Sequence, residues 1–215
     1  MNNTVLLSKT REYVKKKMTG ESTGHDWFHI ERVVTMALKI AQSEKKANIF
    51  LVEMAALLHD IGDWKLNDSK KLEEEILTET MTALTFPKEL QIKILDIVTN
   101  MSFSKNVSEK RELSLEGQIV QDADRLDALG AIGIARAFAY GGKQNREIYN
   151  PDIKPRTFQN TEAYRNSKSH TINHFYEKLF LLKDLMNTKY AKKTAEKREE
   201  YMQAFLDEFL SEWNN

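Results

Sequence analysis

Apolar residues along this chain recur mostly at the three- and four-residue spacing of helices, and alternating runs that would suggest strands are scarce. Residues 4–19 read as a first helix closed by Gly20, with Ser22, Thr23 and Gly24 able to start a second. In that second helix Ile30, Val33, Val34, Ala37, Leu38 and Ala41 form one stripe, the pattern of a helix laid against a core. A third helix, over about 48–61, is apolar nearly all round (Phe50, Leu51, Met54, Ala55, Leu57, Leu58), which predicts a central, buried position. Helices over about 70–84 and 88–101 follow, with Pro87 suited to a helix start. Residues 115–140 are rich in Leu, Ile and Ala, and Gly130 and Gly133 allow close helix packing. From Gly141 to about Ser167 the pattern breaks into a long loop with both tandem glycines and two prolines. Helices over about 169–186 and 191–213 close the chain. With no internal repeat and no linker between two cores, the expected architecture is a single all-α domain over 1–215, a helical bundle.

Composition narrows the class. The chain has 215 residues, 41% apolar and 30% charged, with a mean hydropathy of −0.55. These values fit a globular protein and argue against both disorder and a membrane protein. The longest apolar runs, such as Met54–Leu58, fall far short of the roughly 18–20 residues that span a bilayer. The N-terminal stretch lacks the apolar core and cleavage site of a secretory signal, so a cytoplasmic location is expected. The charges balance at 32 Lys+Arg against 32 Asp+Glu, which argues against a long nucleic acid as partner. The absence of cysteine removes disulfide scaffolds, thiolate zinc sites, iron–sulfur clusters and cysteine nucleophiles.

The phosphate-cradling P-loop, the dinucleotide fingerprint, the GxSxG elbow and the HExxH zinc helix are all missing. Chemistry therefore falls to five histidines (His25, His29, His59, His170, His174) and to carboxylates. His29 lies in GHDWFHIERV, His59 and Asp60 in ALLHDIGDW at the end of the most apolar helix, and Asp122, Asp124 and Asp127 in QDADRLDALG. A charged aspartate in such a place is costly to bury without a partner. Two histidines and two aspartates on three core helices can converge on one divalent metal, and imidazole with carboxylate suits Mn, Fe, Ni, Co, Zn or Mg. Alone, His29 reads more readily as a capping or packing residue; the combination H…HD…D is what carries the signal. Spacing by itself leaves Asp122 and Asp124 open.

These segments resemble the HD-domain superfamily of metal-dependent phosphohydrolases, with motif order and spacing matched over roughly 20–210 and the likeness strongest to compact, stand-alone bacterial HD proteins. The resemblance implies His29, His59, Asp60 and, through the ADRL match, Asp124 as metal ligands. HD proteins with two metals carry extra histidines between the HD pair and the last aspartate. None lies between His59 and Asp124 here, so a single metal is expected, with manganese favoured.

The remaining roles are expectations of two kinds. Asp63, four residues after His59, is a candidate general base if the helix continues, against a surface carboxylate at a helix end. His25, four before His29, is a candidate catalytic donor to a phosphate, against a cap. Asp26 is a candidate to orient a ligand histidine. Arg125 is a candidate substrate contact or the partner of Asp127. His170, His174 and Lys178, with Lys183 beyond, are a candidate basic wall for a polyphosphate, against a solvated face. Trp27, Phe28 and Trp64 flank the ligands and read first as core packing, with base stacking as the alternative.

The implied substrate is a small phosphorylated molecule, a nucleotide, with no membrane partner and a homodimer allowed. Within the resemblance a nucleoside or deoxynucleoside triphosphate pyrophosphohydrolase is favoured. A deoxynucleoside 5′-monophosphatase and an alarmone hydrolase are the alternatives, and a nucleotide-sensing module without turnover is the non-enzymatic one.

Overall fold

The helical periodicity is realised as helices, with no strand, throughout the residues that the computed structural model describes: 2–20, 24–62, 72–101, 112–156 and 169–214. The chain forms two compact units, Met1–Ala123 and Asp124–Asn215.

The first unit holds α1 (Asn3–Met18), α2 (Trp27–Ser43), α3 (Ile49–Leu58), α4 (Glu73–Ala83), α5 (Lys88–Asn100) and the greater part of α6 (Leu115–Asp127). Short polar side chains set the starts. Asn2, Asp26 and Asn48 each accept a bond from a backbone N–H two or three residues on, satisfying donors that a helix leaves unpaired. As its composition predicts, α3 is the centre: Leu51, Val52 and every residue from Met54 to Leu58 are buried, and it packs on α1, α2 and α5. Gln121 Nε2 donates to the Met101 carbonyl at 2.9 Å, tying α6 to the end of α5.

Two boundaries in this unit differ from expectation. The second helix begins at Trp27, because Asp26 is the residue that caps it; Ser22 and Thr23 lie outside the described residues. The third helix ends at Leu58, and residues 59–62 continue as turns. At Gly62 a Cβ would stand 2.6 Å from the carbonyl oxygen of Glu73, the first residue of α4, so the turn after Asp60 admits no side chain there.

The second unit holds the end of α6, then α7 (Gly130–Lys143), α8 (Thr171–His174), a π-helical turn (Phe175–Leu179), a 3₁₀ stretch (Phe180–Leu185) and α9 (Lys189–Trp213). Residues 115–140 are thus two helices. The break comes at Gly130, whose φ of +72° is costly for any residue with a Cβ. Helix α7 runs on to Lys143, so the irregular segment expected from 141 starts later; its residues 157–168 lie outside the described set. The expected helix over 169–186 is not regular either. Phe175, Leu179, Leu182 and Met186 are all buried, and the chain passes from α through π to 3₁₀ geometry across them. Helix α9 packs on α7 and on the 3₁₀ stretch through Ala191, Ala195, Met202 and Leu206.

Candidate metal centre

The end of α3 and the start of α2 bring three histidines and one aspartate of the first unit together. His29, in the first turn of α2, is fully buried, and its position follows from the cap: Asp26 Oδ1 accepts from the His29 backbone N–H at 2.8 Å. Trp27, one residue earlier, is buried with the Arg11 and Lys15 cations of α1 at 5.9 and 5.8 Å from its ring, and Arg11 also pairs with Glu53 of α3 at 3.0 Å. The start of α2 is therefore held from α1 and α3.

His59 follows the last residue of α3. Its Nδ1 lies 2.8 Å from the carbonyl oxygen of Ala56, one of the carbonyls that a helix end leaves without an intrahelical donor. A carbonyl only accepts, so Nδ1 carries the proton and Nε2 presents its lone pair. That Nε2 stands 3.2 Å from Nε2 of His29, and the two rings meet edge to face at 5.2 Å. Two imidazole nitrogens aimed at one point, with the far nitrogen of one fixed by a carbonyl, is the arrangement seen in metal-binding histidines.

Asp60 closes the group. Its Oδ2 lies 2.9 Å from His25 Nδ1 and 3.2 Å from His29 Nε2, and its Oδ1 lies 3.5 Å from His59 Nε2. Burial pushes this carboxyl up, but the electrostatic influence of the neighbouring His59 and His25 rings and the hydrogen bonds with His25 and His29 outweigh it. The group is held well below the ordinary aspartate value. Asp60 is therefore a carboxylate at neutral pH, the form a metal requires. His25, His29 and Asp60 each place one donor atom within 4.8 Å of the others. Imidazole nitrogen and carboxylate oxygen are the donors that suit a hard or borderline divalent ion, so these residues fit the metal.

His25 reaches the group by a route other than helical spacing. It precedes the Asp26 cap and so stands outside α2, yet its ring meets that of His29 at 5.5 Å. Asp26 acts on the backbone of His29, not on its ring. Asp63 and Trp64 lie outside the described residues. The premise for Asp63 was a helix continuing past His59, and residues 59–62 are turns instead. Asp124 sits half-buried in α6, one residue after Ala123, while Asp122 is fully buried. The Ala56 carbonyl could not be read in advance, because its role depends on where α3 ends and nothing in the side-chain sequence marks a backbone acceptor.

The second unit treats its candidates differently. Arg125 is buried and its Nη1 donates to the Leu185 carbonyl, and Asp127 pairs with Arg136 at 3.0 Å. His170 is buried as the N-cap of α8: its Nδ1 accepts from the Asn173 N–H at 3.2 Å, and its Nε2 faces the Ile153 carbonyl at 3.1 Å. His174 and Lys178 are half-buried, and Lys183 pairs with Glu199. The chain changes from α to π to 3₁₀ geometry between His170 and Lys183, so the four-residue spacing expected there does not run along one regular helix.

Known proteins place this geometry. Residues 27–129 match the HD domain family. YpgQ of Bacillus subtilis is 40% identical over 197 residues, which are 91% of this chain and 88% of YpgQ. The chain belongs to the HD-domain superfamily. A crystal structure of a Lactobacillus plantarum protein is 42% identical with a TM-score of 0.88, over 100% of this chain and 99% of that one. An HD-superfamily hydrolase of Bacillus thuringiensis is 43% identical with a TM-score of 0.74, over 99% of each chain. YpgQ itself was solved in complex with ADP, at a TM-score of 0.77 and 35% structure-aligned identity, over 99% of this chain and 97% of that one. This HD protein is accordingly a metal-dependent phosphohydrolase that binds a divalent ion. Among the described residues no helix is long and apolar enough to cross a membrane.

Proposed function

We propose that this HD protein hydrolyses nucleotides at their phosphates, and that its reaction converts a nucleoside or deoxynucleoside triphosphate to the monophosphate and pyrophosphate. The observation that carries the reading is the convergence of His29 Nε2, His59 Nε2 and the Asp60 carboxylate. The nucleotide is carried over from the relative solved with ADP. We assign Asp124, in the ADRL segment of α6, as the fourth ligand on its match to the family motif, with manganese as the favoured ion. The chemistry such an ion supplies is acidification of water and polarisation of a phosphoryl group.

The chain's own residues do the rest. His25, half-exposed beside Asp60, holds that carboxylate's orientation and is placed to donate to a phosphate oxygen. A base takes a proton from water as the water oxygen bonds to the α-phosphorus, and Asp63 is assigned that role on its place just after the HD pair in the sequence, not on helix geometry. The bond from that phosphorus to the bridging oxygen breaks, and pyrophosphate leaves.

The test is product identity. Purified protein with Mn, Mg, Ni or Co is given triphosphates, ADP, deoxynucleoside monophosphates, alarmones and cyclic dinucleotides. Monophosphate and pyrophosphate from a triphosphate are expected. Orthophosphate from a monophosphate would make the protein a monophosphatase, and nucleotide binding with no turnover on any substrate would make it a sensing module. Asp63→Asn should keep the metal and lose most of the rate; an unchanged rate would leave Asp63 a surface carboxylate.

A further inference from the structure

Gly62 comes two residues after Asp60 and is packed where no side chain fits. A Cβ there would stand 2.6 Å from the carbonyl oxygen of Glu73, 2.8 Å from its Cγ and 3.0 Å from its Cα. The nearest of these atoms is backbone, so no side-chain rotation relieves the contact. A Cβ at Gly142, in comparison, would meet nothing within 4 Å. Glu73 is the first residue of α4. The bare Cα of Gly62 thus lets the turn that carries Asp60 lie directly against the start of that helix.

The helix is the firmer side of this contact. Its Leu77 and Met81 are fully buried, and it packs on α5. Its first turn is closed on Leu72, whose carbonyl accepts from the Glu75 and Ile76 N–H groups at 3.0 and 3.2 Å and whose own N–H donates to Glu75 Oε2 at 3.2 Å. Moving α4 would pull two side chains from a close-packed core, whereas a turn can change its dihedrals locally. A methyl group at position 62 would therefore push back the turn, and Asp60 with it. The room lacking is about 0.8 Å from ordinary contact, more than the roughly 0.5 Å of misplacement that a metal site tolerates. Asp60 has no slack to absorb it, since its carboxylate is set at 2.9 Å from His25 and 3.2 Å from His29.

We infer that Gly62 is a positioning residue for the metal centre: it seats the turn after the HD pair against α4 and so sets where the Asp60 carboxylate stands. The inference rests on Asp60 as a metal ligand. It gives Gly62 no contact with ion or substrate.

The test measures manganese affinity by electron paramagnetic resonance in the native protein, Gly62→Ala and Leu77→Ala, with Tm and circular dichroism for each. Gly62→Ala should bind manganese about tenfold more weakly or worse, with its helices kept. Leu77→Ala hollows the core beneath the same helix but leaves position 62 bare, so it should lose Tm and keep the native affinity. A third arm needs no variant: in the native protein manganese should slow amide exchange at Glu75 and Ile76 and leave α5 unchanged, because a fixed turn holds the helix start that it abuts. Native affinity in a folded Gly62→Ala overturns the inference. So does an equal loss of affinity in Leu77→Ala, since the loss would then follow stability, and so does unchanged exchange at Glu75 and Ile76. Native affinity in Asp60→Ala would overturn the ligand reading itself, and the two failures are thereby told apart.

Discussion

His29 and His170 are equally hidden, at 0% and 1% exposure, and each sits at the start of a helix. Their surroundings separate them. His29 turns its Nε2 towards a second imidazole nitrogen and a carboxylate. His170 gives one ring nitrogen to a backbone N–H and the other to a backbone carbonyl, and Tyr149 packs edge-on against its ring at 5.1 Å. A buried imidazole whose nitrogens are both taken by the main chain completes hydrogen bonding in a core. One that faces another nitrogen and an ionised oxygen is arranged for a cation. Burial alone therefore does not distinguish a ligand from a structural histidine; the partner of each nitrogen does.

The comparison can be broken first at the carboxylate. Asp60→Ala should lose the bound metal and reduce turnover by about a thousandfold or more, equivalent to ~4 kcal/mol of transition-state stabilisation. Rates and metal content check this, with circular dichroism to show that the helices persist. His25→Ala comes next, because it removes the 2.9 Å contact that holds Asp60. Losing such a supporting contact should cost about 10–100-fold in metal affinity or rate, measured by metal titration and initial rates. His170→Ala should act on stability instead: removing a buried cap and its hydrogen bonds costs about 1–3 kcal/mol, read as a lower Tm. Its metal content and kcat should match the native protein; a collapse of kcat in a folded variant would return His170 to the substrate. The smallest effect is expected from Asp26→Asn, since asparagine caps a helix as well as aspartate does. A change in unfolding free energy or metal-binding free energy beyond a few tenths of a kcal/mol would show that the charge of Asp26, not its hydrogen bond, acts on the centre.

The same contrast explains what could be read from the chain. Helical periodicity marks α2 by its apolar stripe, the apolar run marks α3 as a central helix, and the H…HD…D pattern singles out His29, His59 and Asp60 in the sequence. The spacing from His170 to Lys183 reads as one helical period in the sequence, but the chain does not keep that period. The packing of Phe175, Leu179, Leu182 and Met186 prevails over that period, and the helix changes type across them. The four-residue spacing of His25 and His29 is not a helical one, since the Asp26 cap puts His25 outside the helix. The Ala56 carbonyl that fixes the His59 tautomer had no signal at all, being main chain.

Hydrolysis is proposed to depend on a divalent ion held by His29, His59 and Asp60. The most direct test is a manganese titration of the native protein and His59→Ala, with free manganese followed by electron paramagnetic resonance. A single site per chain is expected in the native protein, and its loss in His59→Ala. The same stoichiometry and affinity in both proteins would contradict it.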